Sequence, residues 1–309
     1  MNYNQDQMHE LTVPKNPIVA KKVPTRNGNQ RYTCGVILYA HINKCAGGTV
    51  VDWFRKHAQV FYVGRAVHRN QLRKNKQKEP TWRLFGNIQY KPEWGKMIAQ
   101  VDTFLANVSS KTGWRVLHVH HFSPGLSLIQ SYIEKWEKAV EAKGCIFYKT
   151  TVLRDPLDRF ISNVNFDNVS LSNIDGFMES RRNWLMRYLL FGICGIEDRY
   201  LRCGYIRNGN FSNTPNLNET LMEEVYDITN GLDLVGFTDT LDSYFEEIGQ
   251  TTGWITKMNN VDVKKIHKSR STFNLTRSLI SKFIALNQHD YMFYYTMRKK
   301  LVNISRNNI

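Results

Sequence analysis

A chain of 309 residues, 42% of them hydrophobic, is long enough to bury a sizeable core in one large domain or two small ones, which argues against an intrinsically disordered protein. Lys and Arg outnumber Asp and Glu by 42 to 27, a formal charge of +15. Such a surface suits an anion: nucleic acid, an acidic polysaccharide, a phosphorylated cofactor or an anionic membrane. No run of about 18 apolar residues occurs and the N-terminus has no apolar core of signal-peptide length, so the chain reads as soluble.

Residues 1–31 are polar, carry Pro14, Pro17 and Pro24, and read as an extended arm ahead of a single domain over 32–309. The domain opens with "TCGVILYAH", an apolar run, then the loop "INKCAGG", then "GTVVDWFRKHA", whose Val50, Val51, Phe54 and Ala58 have helical spacing. That order is strand, loop, helix. The segment from Arg65 to Lys96 is basic, with Trp82 and Phe85 interleaved, and reads as an excursion from the core. "WRVLHVHHF" reads as a second strand and "SLIQSYIEKWEKAVEAKG" as a helix stopped by Gly144. In "CIFYKTTVLRDPLDRFISNVNF" the opening theme repeats: a buried strand over Ile146 to Leu153, Asp155 as N-cap, Pro156 in the first turn, and a helix to about Phe166. Further helices are expected at about 181–192, 218–230, 239–250 and 276–299, with "LDLVGF" a short strand between two of them. Strands alternating with helices predict an α/β fold with a central parallel sheet flanked by helices. Five scattered cysteines fit no metal spacing and read as mostly buried free thiols, with one bridge such as Cys194–Cys203 left open.

Two loops carry chemistry. In "HINKCAGGT", at the carboxyl end of a strand and the amino end of a helix, Gly47 and Gly48 would let backbone N–H groups cradle an anion, Lys44 would neutralise it and Thr49 could donate a hydroxyl hydrogen bond. A Walker A loop is excluded because Lys44 precedes the glycines. In "LRDPLDRFISN", Arg154 ends a strand and Ser162 lies two helical turns on, so a second anionic group could be gripped from both sides. Asp158 and Arg159 read as helix-surface pairs.

Together these motifs resemble a known family. "HINKCAGGT" is similar to the 5′-phosphosulfate loop, and "LRDPLDRFIS" to the 3′-phosphate motif, of sulfotransferases that use 3′-phosphoadenosine 5′-phosphosulfate (PAPS). The closest match is the carbohydrate-type branch that includes the heparan sulfate 2-O-sulfotransferases. "LVGFTDTLDSYFEEIG" and "ALNQHDYMFYYTM" resemble two later segments of that family. The resemblance implies a P-loop-like nucleotide-binding sulfotransferase fold. It assigns Lys44 and the stretch Cys45, Ala46, Gly47, Gly48, Thr49 and Val50 to the phosphosulfate, and Arg154 and Ser162 to the 3′-phosphate. Cys45 stands where the family usually has Thr, at the cost of one hydroxyl contact. Lys268, Ser269 and Arg270 fall where the family has a basic loop that closes over the cofactor.

"LHVHHFSPGL" brings His118, His120 and His121 close together. They read as metal ligands, as ordinary hydrogen-bonded histidines or as a general base; no carboxylate or Cys accompanies them at ligand spacing. In the family a His before a short Gly- or Pro-containing loop is the base. That implies His121, with His120 the alternative one register away, and Lys44 at the leaving group. Trp53, Trp82, Trp114 and Trp184 read as core or as sugar-stacking platforms.

The resulting expectation is sulfuryl transfer from PAPS to an acceptor hydroxyl, most naturally on a carbohydrate and without a metal. Tyrosine sulfation, a nucleotide-dependent phosphoryl transferase, and a non-catalytic basic protein binding nucleic acid or a sulfated polymer are the alternatives. The chain is expected to be cytoplasmic as written, or from the Golgi lumen if it is a fragment cut after an anchor; no nucleic-acid partner is expected.

Overall fold

The computed structural model describes residues 19–20, 32–64, 91–120, 125–191, 216–254 and 275–306. Its centre is a six-stranded sheet of β1 (Val19–Ala20), β2 (Gly35–His41), β3 (Gln59–Gly64), β4 (Trp114–His120), β5 (Ile146–Leu153) and β6 (Leu234–Phe237). The spatial order is β1-β6-β5-β2-β4-β3. Five strands are parallel and β1 runs antiparallel to β6, pairing Val19 with Val235 and Ala20 with Leu234. The segment read as a free arm thus supplies the strand that covers the β6 edge.

Helices cover both faces, as the alternating pattern predicts. On one face lie α1 (Gly47–His57) and α8 (Leu241–Thr252), burying Val50, Phe54, Tyr244 and Phe245 against Ile37, Tyr39 and Val116. On the other lie α2 (Lys91–Ala106), α3 (Leu126–Glu141), α6 (Trp184–Phe191), α7 (Glu219–Asn230) and α10 (Gln288–Arg306), packed on Val36, Leu38, Leu117 and Val119. A third cluster joins α4 (Pro156–Asp167), α5 (Ile174–Glu179), α9 (Arg277–Leu286) and α10 through Phe160, Met178, Phe283 and Tyr291. Strands buried on both faces carry nearly unbroken apolar runs, and each such side chain contributes roughly 1.5–3 kcal/mol.

Three expectations change. Part of the supposed basic excursion is α2, which buries Ile98, Val101 and Leu105. The helix expected at 276–299 is two helices broken at Asn287, whose side chain turns inward, its Nδ2 donating to the Phe283 carbonyl while its Oδ1 accepts from the Asn183 N–H. The cysteines are not all free: Cys34 and Cys145 form a disulfide across 111 residues, with Cα atoms 5.0 Å apart. The parallel register explains it, since Gly35 pairs with Ile146 and the residue before each is thereby a lateral neighbour. Cys194 and Cys203 lie outside the described residues. Among the described residues no helix is long and apolar enough to cross a membrane.

A crosslink that closes so long a loop constrains mainly the unfolded chain. Replacing both Cys34 and Cys145 by Ser is expected to lower the unfolding free energy by roughly 2–5 kcal/mol in denaturant titrations.

Candidate functional site

The order of strands reverses at β2: the chain first steps two places out to β3 at the edge and returns through β4, which lies between β3 and β2, then crosses to β5 and β6 on the other side. In an α/β sheet this places a ligand crevice beyond the carboxyl ends of the two strands that part there. The loops after β2 and β5 are the two motif loops. They touch, for Arg154 Nη1 donates to the Lys44 carbonyl at 3.3 Å.

The helices that follow start differently. Helix α4 is capped, its Asp155 carboxylate accepting from the N–H groups of Leu157 at 2.9 Å and Asp158 at 3.2 Å. Helix α1 has no side-chain cap and no acid in its first turn. Two residues before it, Lys44 and Ala46, hold left-handed backbone at φ 66° and 58°. Left-handed residues among right-handed ones turn successive N–H groups toward one concavity, an anion nest. The amides expected there are not all available: Cys45 N–H bonds the Ile42 carbonyl and Val50 N–H bonds the Ala46 carbonyl. The first-turn amides of Gly47, Gly48 and Thr49 are those a helix start leaves open.

Cations crowd this opening. Lys44 is half-buried, and burial lowers its pKa, opposed by Asp167 and reinforced by Arg154 and Arg159. Its ammonium rests 3.8 Å above the ring of Phe166, which is 71% exposed. Arg159 is not on the helix surface as expected. It is 1% exposed, stacked 4.0 Å over Trp184, with its Nε and Nη1 atoms lacking hydrogen-bond partners. Burial pushes its pKa down to about 10, so it stays charged near neutrality. Like charges a few ångströms apart repel by on the order of a few kcal/mol, and an anion relieves that cost. Ser162 is buried on α4. The Cys45 side chain faces inward, fully buried and donating weakly to the Asn43 carbonyl, with burial raising its pKa to about 12.

The histidines form a ladder on the α1 side of the sheet. Alternation places His118 and His120 on one face of β4, and the register pairs His120 with His41 and His118 with Tyr39 on β2. His41 and His120 stack with centroids 3.8 Å apart and planes within 12°. His41 Nδ1 and His118 Nε2 are 3.0 Å apart. Their ligand atoms, with that of His120, lie within 4.8 Å of one another, the spread of a metal cluster. The geometry favours proton sharing over metal binding: with ring centroids 5.1 Å apart, the His41 and His118 nitrogens face each other almost in line. An ion between them would sit nearer than the roughly 2.0–2.1 Å a metal–imidazole bond needs. His120 Nε2 lies 2.9 Å from Asn43 Oδ1, to which it donates. In the neutral ring this leaves the basic lone pair on Nδ1. A cleft lined by His41, Ile42, Val119, Gly125 and Tyr188 lies at the end of β2 on the other face of the sheet, the one that packs α3 and α6.

Other expected residues are placed as follows. Trp53, Trp114 and Trp184 are buried, which removes them as sugar platforms; Trp82 lies outside the described residues, as do His121, Lys268, Ser269 and Arg270. Sequence reasoning missed two groups. His41 joins the ladder from 77 residues away, and the Asp290 carboxylate accepts from Leu185 and Met186 N–H groups at the start of α6. Burial raises the Asp290 pKa to about 6.

No family model and no curated protein matches the chain. Among solved structures, a chain of the PezAT chromosomal toxin–antitoxin system of Streptococcus pneumoniae is similar at 14% identity, over 66% of this chain and 87% of that one, with a TM-score of 0.28. A likeness of that size carries no functional argument.

Adjacent loop positions give a local test. A Cβ on Gly47 would lie 1.7 Å from His41 Nε2, so Gly47→Ala is expected to cost roughly 1–3 kcal/mol of stability by forcing loop or ring aside. Ala46→Gly relieves a left-handed L-residue while loosening the unfolded chain, and should stay within about 1 kcal/mol of wild type in the same denaturant titration.

Proposed function

We propose that the protein is a sulfotransferase that moves a sulfuryl group from PAPS to an acceptor hydroxyl, on a carbohydrate. The observation that carries this reading is the meeting of the two motif loops at the switch point: an uncapped helix start beside Lys44, held by Arg154. The orphaned N–H groups of buried Arg159 add to the fit for a polyanion.

When bound, the donor supplies an activated sulfuryl group and leaves as 3′-phosphoadenosine 5′-phosphate. Lys44 and the amides of Gly47, Gly48 and Thr49 neutralise charge that gathers on the leaving phosphate, stabilisation of the kind that positioned donors give best. Arg154 and Ser162 hold the 3′-phosphate and fix the register. The acceptor's proton passes to an imidazole at the end of β4: His120, through Nδ1, is the residue whose geometry supports the role, and His121 is the motif's choice. The excess of positive charge suits an acidic acceptor.

A thermal-shift titration with 3′-phosphoadenosine 5′-phosphate, adenosine 5′-phosphate and ATP with Mg²⁺ tests the donor. The 3′-phosphorylated nucleotide alone should stabilise, by about 2.7 kcal/mol at 100 times its Kd. Stabilisation by ATP alone would instead mark a phosphoryl transferase, and no response to any would mark a basic binding protein. Lys44→Ala should abolish sulfuryl transfer with the melting temperature of the free protein little changed.

A further inference from the structure

We infer that His41 is a positioning residue that couples occupancy of the anion loop to the proton acceptor on β4. The inference rests on the proposed sulfuryl transfer for the role of His120, but its geometry stands apart from that reading. His41 is the last residue of β2, and three contacts converge on its ring. Its face stacks on His120 at 3.8 Å. Its Nδ1 shares a proton with His118 Nε2 at 3.0 Å, fixing the ring about its long axis. Its Nε2 edge presses on the first residue of α1 so closely that only glycine fits, a Cβ on Gly47 coming within 1.7 Å. The backbone is held too, the Tyr188 hydroxyl donating to the His41 carbonyl at 3.3 Å.

Gly47 opens the helix whose N-terminus faces the anion, so movement of that turn on binding is passed to the His41 edge and through its face to His120. The stack has an electrical consequence. When His120 takes the acceptor's proton, the O–H bond breaks, the proton adds to Nδ1, and the electron pair stays on the attacking oxygen. The imidazolium so formed lies against the face of His41, whose ring electrons attract a cation. Other titratable groups in the ladder are His118 from β4 and Tyr39 from β2, with Tyr188 from α6 beside it and Lys44 and Arg154 in the adjoining loops.

The test uses the full chain with its imidazoles followed by nitrogen-resolved NMR, and 3′-phosphoadenosine 5′-phosphate as the probe. In wild type the His118 and His120 signals should move on binding. In His41→Asn, which loses the ring, they should no longer respond although the nucleotide still binds, and kcat for sulfuryl transfer should fall on the order of 10²-fold with the donor's KM little changed. His41→Phe restores the stack without the shared proton and should recover part of the response. Signals that move equally in His41→Asn and wild type, or that stay still in wild type while the nucleotide binds, would overturn the coupling. If the nucleotide does not bind, the sulfotransferase reading fails and inorganic pyrophosphate becomes the probe of the loop: a response of the imidazoles that depends on His41 sustains the coupling, and its absence overturns it.

Discussion

Unbalanced positive charge at the start of α1 is the constraint around which the rest is arranged. A helix that begins without a cap, beside a lysine and two arginines, gathers partial and full charges of one sign where folding alone offers little to offset them. The fold tolerates this because each cation is held from behind. Trp184 lies under Arg159, Phe166 under Lys44, and the Lys44 carbonyl accepts from Arg154. The acids nearby offset this charge only in part, because each has a second partner: Asp155 caps α4, Asp290 acts on Arg159 but also caps α6, and Asp167 acts on Lys44 but pairs with Arg181 at 3.1 Å. What remains is a positive opening at the switch point of the sheet.

Much of this was legible in the sequence, for reasons that differ by element. Strand β5 and helix α4 were bounded almost to the residue, because an apolar run, an Asp, a Pro and a 3.6-residue period all point the same way. The short strand β3 and helix α2 were not, since Pro92, Gly95 and neighbouring lysines disguise α2 and six residues are too few to betray β3. Charge on a helix usually faces water, and only tertiary neighbours, Trp184 against the guanidinium and the buried Asp290 carboxylate, make the burial of Arg159 tolerable. The Cys34–Cys145 bond and the His41–His118 contact are facts of strand register, and no local pattern encodes which strands become neighbours.

The segment "NQHD" resembled a family motif without a visible task. Its work is architectural: Asn287 ends α9 and binds the Asn183 amide, and Asp290 caps α6. Both act at the base of the helix that carries Trp184 and Tyr188, the first beneath Arg159 and the second bonded to His41. A motif far along the chain thus serves the loops by fixing the helix they lean on.

The disulfide also makes the chain a closed loop. Cys34 and Cys145 sit at the amino ends of the strands whose carboxyl ends bear the two motif loops, and β2 through α3 lie within the ring they complete. A cut in the backbone anywhere inside it, for example among residues 65–90, opens the ring without dividing the molecule. For a cut there the two pieces remain joined through sulfur, each keeping one of the two loops, and parting them takes both a reductant for the disulfide and a denaturant for the sheet.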